Sequence, residues 1–433
     1  MKNFIVLILT LFFISCASDV DKSFKKRFEN ETPKRVHLKY WCSANPQEIE
    51  LAKKLAEKWN ELHPDIQVEV QPLPAGQSSE EILLAAIAGG TTPDVCSNIW
   101  PGAIAEYVKA GGLVRLDEFE DFDSVISARK IPRDLLESFR SSDGHFYQFP
   151  WKTNPILLLY NVKIFKEAGV EKPPATYSEF FSVCEKIKNL KIGVYPGYTD
   201  TRPIWWQRFF DFYPLYISAS GGKTFFKNGE LKIDTASAEK VFNFFKTCFE
   251  RNYFPITNFQ VDPFLTGKIA MRFTGPWTIS YLERNKPSDF EYSFAPIPVP
   301  DDYRGEVYTY GDPKNIAIFS STKHKKEAWE FVKFLISEEA DLLLLEICNQ
   351  LPIRGDLLEN QKFENYFNRN QRMKMFARQS AFTRGVDEAP EMKEIFDAIS
   401  HEFEACSVYG AKSEREAVRN LVKRIKVILE WSK

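Results

Sequence analysis

The hydrophobic and polar positions of this chain change character twice. Residues 4–14 (FIVLILTLFFI) form one apolar run behind a single basic residue, Lys2, and lead into Ser15 and Cys16. Its eleven residues fall short of the ~20 that a helix needs to cross a bilayer. They have the length of a signal-peptide hydrophobic region, with a small residue before the cut. Residues 17–34 are polar and charged, too poor in apolar side chains to offset the cost of ordering, and read as a flexible tether. From residue 35 onward apolar positions recur at intervals of two or of three to four, as in a packed globular body.

In that body, residues 36–41 read as a strand. Leu51, Leu55, Trp59 and Leu62 then mark one face of a helix over 47–62, which Pro64-Asp65 stops. Residues 66–70 alternate like a second strand. Strand, crossover helix and strand make a βαβ unit and imply a parallel sheet covered by helices. A helix over 80–88 ends at Gly89-Gly90, a C-cap signal, and residues 93–97 read as a third strand. Thr176 and Glu179 form a capping box, as do Ser413 and Glu416. The second opens a last helix with Val418, Leu421, Val422, Ile425 and Leu429 on one face. Trp329 and residues 331–335 belong to another packed helix. The fold class read from this pattern is α/β. A body of about 400 residues exceeds one core and implies two domains.

Composition narrows the function. With 57 basic and 59 acidic residues, nothing favours nucleic acid as a partner. No other apolar run approaches spanning length. Of seven cysteines, Cys42, Cys96, Cys184, Cys248, Cys348 and Cys406 lie far apart, with no C-x-x-C pair, and read as unpaired buried residues. Five histidines lack metal spacing, and neither H-E-x-x-H nor G-x-S-x-G is present. Gly222-Lys223-Thr224 ends like a phosphate loop, yet Ile217 stands where its first glycine belongs. No catalytic residue, metal or cofactor is expected. Aromatic residues make up 15%, nine of them Trp. Their faces suit the C–H groups of a sugar ring. Asn98 and Trp100 follow the third strand, at the end where open α/β sheets bind ligands. Trp205-Trp206 stand between Arg202 and Arg208 in an aromatic-rich segment.

Five segments carry a family resemblance, in order along the chain. They are LLAAIAGGTTPDV (83–95), FPWKTNPILLLYNVKIFKEAGVEKPPATYSEF (149–180), FLTGKIAMRFTGPWTI (264–279), SFAPIPVP (293–300), and STKHKKEAWEFVKFLISEEA (321–340) with LPIRGDLL (351–358). Together they resemble the extracellular solute-binding proteins, family 1, of bacterial ABC importers, whose maltose-binding members bind sugars. Cys16 after its apolar run is similar to a bacterial lipobox, with Phe13 where Leu is commoner. The resemblance implies a signal peptide over 1–15 and a lipidated tether over 16–34. It implies a two-lobed, type II-like periplasmic-binding fold, each lobe a mainly parallel sheet flanked by helices and joined by a hinge. Lobe 1 would comprise 35–149 and 297–352, and lobe 2 would comprise 150–296 and 353–433, with crossings near Pro150, Pro296 and Pro352. Trp151 and Asn154 would lie at the first crossing. Trp277 resembles the sugar-stacking Trp of the maltose-binding relatives, and Tyr310, Asp312 and Asn315 would face the cleft. The implied protein is an exported, lipid-anchored monomer in the periplasm or at the cell surface, delivering a carbohydrate to an ABC permease. A polyamine or other non-sugar solute, and a sugar-active hydrolase, stay open as alternatives.

Overall fold

The computed structural model describes residues 35–74, 78–227, 230–387, 389 and 391–431. The expected signal peptide, Cys16 and the tether lie outside the described residues. Strand β1 (Val36–Cys42), the helix Pro46–Leu62 and strand β2 (Ile66–Pro72) form the βαβ unit that the periodicity predicts. The two strands pair in parallel from Val36 opposite Ile66 to Cys42 opposite Pro72. Asn45 starts the helix, its side chain accepting the amides of Gln47 (2.9 Å) and Glu48 (3.3 Å), with Pro46 in the first turn, where a missing N–H costs nothing. Leu51, Leu55 and Trp59 are buried, and Leu62 at the helix end is exposed. After the helix Ser79–Gly89, closed by left-handed Gly90, strand β3 (Val95–Ile99) pairs in parallel with β1.

The chain continues through β4 (Phe149–Thr153), β5 (Leu157–Asn161), β6 (Tyr195–Gly197), β7 (Phe226–Lys227), β8 (Glu230–Leu231) and β9 (Ile269–Thr274). It ends with β10 (Tyr292–Ala295), β11 (Thr309–Tyr310), β12 (Lys314–Ile318), β13 (Leu351–Pro352) and β14 (Thr383–Arg384). A six-stranded sheet has the order β13-β4-β12-β3-β1-β2, and a four-stranded sheet has the order β10-β5-β9-β6. These are the sheets of the two lobes. They are less parallel than expected. Within them only β1–β2, β1–β3 and β6–β9 run parallel, whereas β3–β12, β12–β4, β4–β13, β10–β5 and β5–β9 are antiparallel. A local crossover helix returns the chain to the same end of a sheet, which makes strands parallel. A strand that arrives from the other lobe, as β12 does, is free of that constraint.

The first passage between sheets runs through residues 154–156. Pro150, near which it was expected, lies inside β4 opposite Asn315. The second takes residues 296–313, between β10 and β12. The third follows β13, after which the helices Gln361–Arg369 and Gln371–Ser380 pack under the four-stranded sheet through Phe363, Phe367 and Phe376. Trp59, Trp329 and Phe331 centre the core on one face of the six-stranded sheet. Phe180, Phe244, Phe245 and Phe403 fill the second lobe. Burying each such ring contributes on the order of 1.5–3 kcal/mol. The N-cap half of each expected box forms: Thr176 and Ser413 accept the amides of Glu179 and Glu416 at 3.3 Å, while the Glu179 carboxylate reaches back to the amide of Ala175 at 2.7 Å, one residue before the cap. The six cysteines among the described residues are buried free thiols.

Candidate functional site

Between the two sheets lies a cleft of ≈ 640 Å³, lined from both sides. On the six-stranded side it begins where β1 and β3 end. Ser43, Asn45 and Glu48 come from the turn and helix start after β1, and Asn98 comes from β3. These strand ends are the ligand-binding edge of an open α/β sheet. Asn98 holds φ 65° and Asp312 φ 38°. Both are left-handed conformations that Asn and Asp tolerate better than other side chains. Each sits at the cleft, where such strain tends to gather.

The charges here are matched within the protein. Lys152 donates to Glu48 at 2.7 Å, and both side chains are buried. Gln350 donates to the same carboxylate oxygen at 3.1 Å. Lys314 donates to Asp312 at 2.9 Å. From the four-stranded side, Arg272 on β9 donates to Asp262 at 2.9 Å. Burial works against ionisation of Asp200, but the hydrogen bonds and charge of Arg202 hold its carboxyl below its ordinary value. Burial, and then the neighbouring Asp200, push the Tyr198 hydroxyl up.

Four buried polar atoms of cleft-lining residues have no hydrogen-bond partner among the described residues: Glu48 Oε2, Asn154 Oδ1 and Gln350 Oε1 on one side and Arg272 Nε on the other. Buried polar groups are paired in the great majority of cases, and each exception needs a reason. The same cleft is lined by Trp277, the first residue of the helix Trp277–Asn285. Its ring lies against Gly275, where an added Cβ would fall 2.0 Å from ring carbon. Only glycine leaves room for the indole in that position. The ring is half-buried and meets Phe210 edge-on at 5.6 Å.

The structure brings four of the predicted residues to this cleft: Asn98, Asn154, Trp277 and Asp312. Trp100, Trp205 and Trp206 line an adjoining cavity of ≈ 450 Å³, which shares Phe210, Asp312 and Lys314 with the cleft. Three others line neither. Trp151 is buried in the core of the six-stranded sheet, where its ring underlies the Lys152 ammonium at 4.6 Å. Tyr310 is wholly buried, stacked on Phe209 at 5.2 Å, and its hydroxyl donates to Asp312 at 3.3 Å. Asn315 is wholly buried on β12 and donates to Gln148 at 2.5 Å. Tyr310 and Asn315 flank Asp312 on a segment that turns inward, so they sit behind the cleft wall.

Several cleft residues were missed. Ser43, Asn45 and Glu48 could have been found, because the strand-end rule that selected Asn98 applies equally after β1. Lys152 could have been suspected as a lone charge in an otherwise apolar strand. Asp200, Gln207 and Arg272 gave no local signal. They meet only because distant segments fold together.

Residues 44–341 match the family model of the bacterial extracellular solute-binding proteins. The chain is 28% identical over 338 residues to a maltotriose-binding protein of Pyrococcus abyssi, covering 75% of this chain and 68% of that one. An uncharacterized protein of Listeria monocytogenes superposes with a TM-score of 0.79 at 27% identity, covering 91% of this chain and 100% of the other. The sugar-binding protein MalE of Xanthomonas citri shares the fold, with a TM-score of 0.76 at 21% identity over 92% and 98% of the two chains. With the match spanning most of its length and a cleft between two lobes, this chain belongs to the bacterial extracellular solute-binding protein family.

Proposed function

We propose that this protein is the substrate-binding component of an ABC importer and captures a neutral carbohydrate in its interlobe cleft. One observation carries the reading. The cleft's charged groups are already matched in pairs (Glu48–Lys152, Asp312–Lys314, Asp200–Arg202 and Arg272–Asp262), while Glu48, Asn154, Arg272 and Gln350, which line the cleft with Trp277, each keep a polar atom without a partner among the described residues. A polyhydroxylated ring complements this. Its hydroxyls both donate and accept, and its C–H face stacks on the indole. The relative from Pyrococcus abyssi, named for maltotriose, and a Streptomyces coelicolor relative named for diacetylchitobiose support the same class.

Contacts to both lobes would favour a closed form over an open one, since a ligand shifts such an equilibrium by its differential affinity for the two states. The closed form would dock on the permease, which moves the solute on. The protein would act as a monomer, exported to the periplasm or cell surface and tethered through lipid on Cys16. It would perform no catalysis.

A polyamine needs carboxylates free to face its ammonium groups, and the acidic side chains here are held by cations of the protein. Calorimetric titration of the purified protein with a panel of neutral sugars and polyamines, at low and high salt, tests the reading. Sugar binding that is indifferent to salt is expected. Salt-sensitive binding of a polyamine, with none of sugar, would overturn it.

A further inference from the structure

The helix Glu414–Trp431 lies on the outside of the second lobe. Ala417, Val418, Leu421 and Ile425 are buried on its inner face, which packs against the helices Thr235–Glu250 and Met392–Phe403. In its first turn the charges are matched, Glu414 with Lys246 at 2.9 Å and Arg415 with Glu239 at 4.0 Å. Beyond that turn the balance fails. Residues 417–429 carry Arg419, Lys423, Arg424 and Lys426 and no carboxylate. All four are exposed, and none forms an ion pair among the described residues. Arg419 and Lys423, four apart, and Lys423 and Lys426, three apart, are neighbours of like charge on the outer face, an arrangement that weakens a helix. At the end of the same face stand Val427 and Trp431, the indole of Trp431 belonging to a residue 87% exposed.

A solvated helix face ordinarily alternates acids with bases, and the chain as a whole is balanced, with 57 basic and 59 acidic residues. This stripe pairs with no acid of the fold, and its open indole covers no core. Both suit the headgroup layer of an anionic membrane, where lysine and arginine meet phosphate and tryptophan settles between water and acyl chain. We infer that the outer face of this helix docks on a bilayer of anionic lipid, with Trp431 in the interface. The lipid proposed on Cys16 would keep the body near that surface, because residues 17–34 could span at most about 60 Å, and a second, weak contact then acts at high effective concentration. The helix packs on the second lobe alone, so docking would hold that lobe on the membrane and leave the six-stranded lobe to carry the hinge motion.

The test reads Trp431 directly. The purified full chain is reconstituted on vesicles whose brominated acyl chains quench an indole that reaches them. One set is phosphatidylcholine, the other equal parts phosphatidylcholine and phosphatidylglycerol. The difference in emission between the wild type and Trp431→Phe isolates this one indole. Most of its emission is expected to be lost on the anionic vesicles and little on the neutral ones, and salt at about 0.5 M should restore it. Arg419→Gln/Lys423→Gln/Lys426→Gln should weaken the contact about tenfold or more, since each basic residue near such a surface contributes roughly fivefold. Its melting temperature should match the wild type, because the three side chains are exposed and unpaired. An indole that stays bright on anionic vesicles, or is quenched equally on neutral vesicles or in the triple variant, overturns the docking face. A chain that leaves the neutral vesicles altogether carries no lipid, and the face must then hold it on the anionic vesicles alone; failure there also overturns it. None of these outcomes touches the carbohydrate reading, since sugar affinity should be the same in every variant.

Discussion

Arg208 and Asp211 form an ion pair at 3.0 Å with no exposed surface on either side chain, and together they hold one wall of the cleft in place. Thr199 donates to the Asp211 carboxylate at 2.6 Å, and Arg208 donates to the backbone oxygen of Asp200 at 2.7 Å. The pair thus ties the loop bearing Thr199 and Asp200 to the short helix bearing Trp205, Trp206 and Gln207. Burial dominates both groups. It pushes the Asp211 carboxyl up against the pull of Arg208, and pulls the Arg208 guanidinium down.

Removing one partner of such a pair strands a buried charge. Asp211→Asn keeps the shape but leaves Arg208 uncompensated, and should lower stability by about 3–5 kcal/mol. The double variant Arg208→Met/Asp211→Leu removes both charges and should recover much of that loss. Urea unfolding of the wild type and both variants checks it. A single variant as stable as the wild type would show that the pair is not what secures this wall.

Much of the fold was legible because its signals are local. Asn45-Pro46, Gly89-Gly90 and the boxes at Thr176 and Ser413 each mark a helix end by satisfying backbone groups within a few residues. Strand direction was not legible, because whether β12 runs with or against β3 depends on which lobe the chain has just left. The site divided along the same line. Asn98 and the missed Ser43 and Glu48 follow from a rule about strand ends, whereas Arg272 and Asp200 reach the cleft through packing of segments some seventy residues apart. Trp151 and Tyr310 show the complementary error. An aromatic residue near a crossing is as useful to a core as to a ligand, and only burial separates the two.

A pH dependence is expected from Asp387. Burial raises its carboxyl from 3.8 to about 6, opposed by hydrogen bonds from the Thr224 hydroxyl and the amides of Phe225 and Phe226. Between those two values the folded state holds a proton that the unfolded chain has lost. Stability from this group is therefore present below about pH 4 and is lost as pH rises toward 6. The difference amounts to about 3 kcal/mol at neutral pH. Asp387→Asn cannot ionise, so its stability relative to the wild type should rise between pH 4 and pH 7. Urea unfolding of the two proteins at those pH values measures the trend, and a constant difference would remove the assignment.

The anchor has its own test. Cys16 lies in the segment read as a lipobox, and the six cysteines of the folded body are buried, closed to modification. Cys16→Ala should abolish fatty-acid labelling and shift the protein out of the membrane fraction. Stable anchoring takes more than one acyl chain, as a diacylglyceryl cysteine with an acylated amine would supply. Labelling that persists in the variant would leave export without a lipid.

Trp277 separates a ligand-facing ring from a core ring in one pair of measurements. Its indole is half-buried, held over Gly275 at the start of its helix, and meets Phe210 edge-on. Trp277→Ala should weaken sugar binding by about 1–3 kcal/mol, the range measured for aromatic stacking on flat ligands. Thermal melting should move much less than in Trp329→Ala. There the ring is buried in the six-stranded lobe's core and stacks on Phe119 at 5.0 Å, and a loss of about 3–5 kcal/mol is expected. A Trp277→Ala protein that melts as low as Trp329→Ala yet binds sugar with unchanged affinity would return Trp277 to the core and leave the cleft's polar atoms to hold the ligand alone.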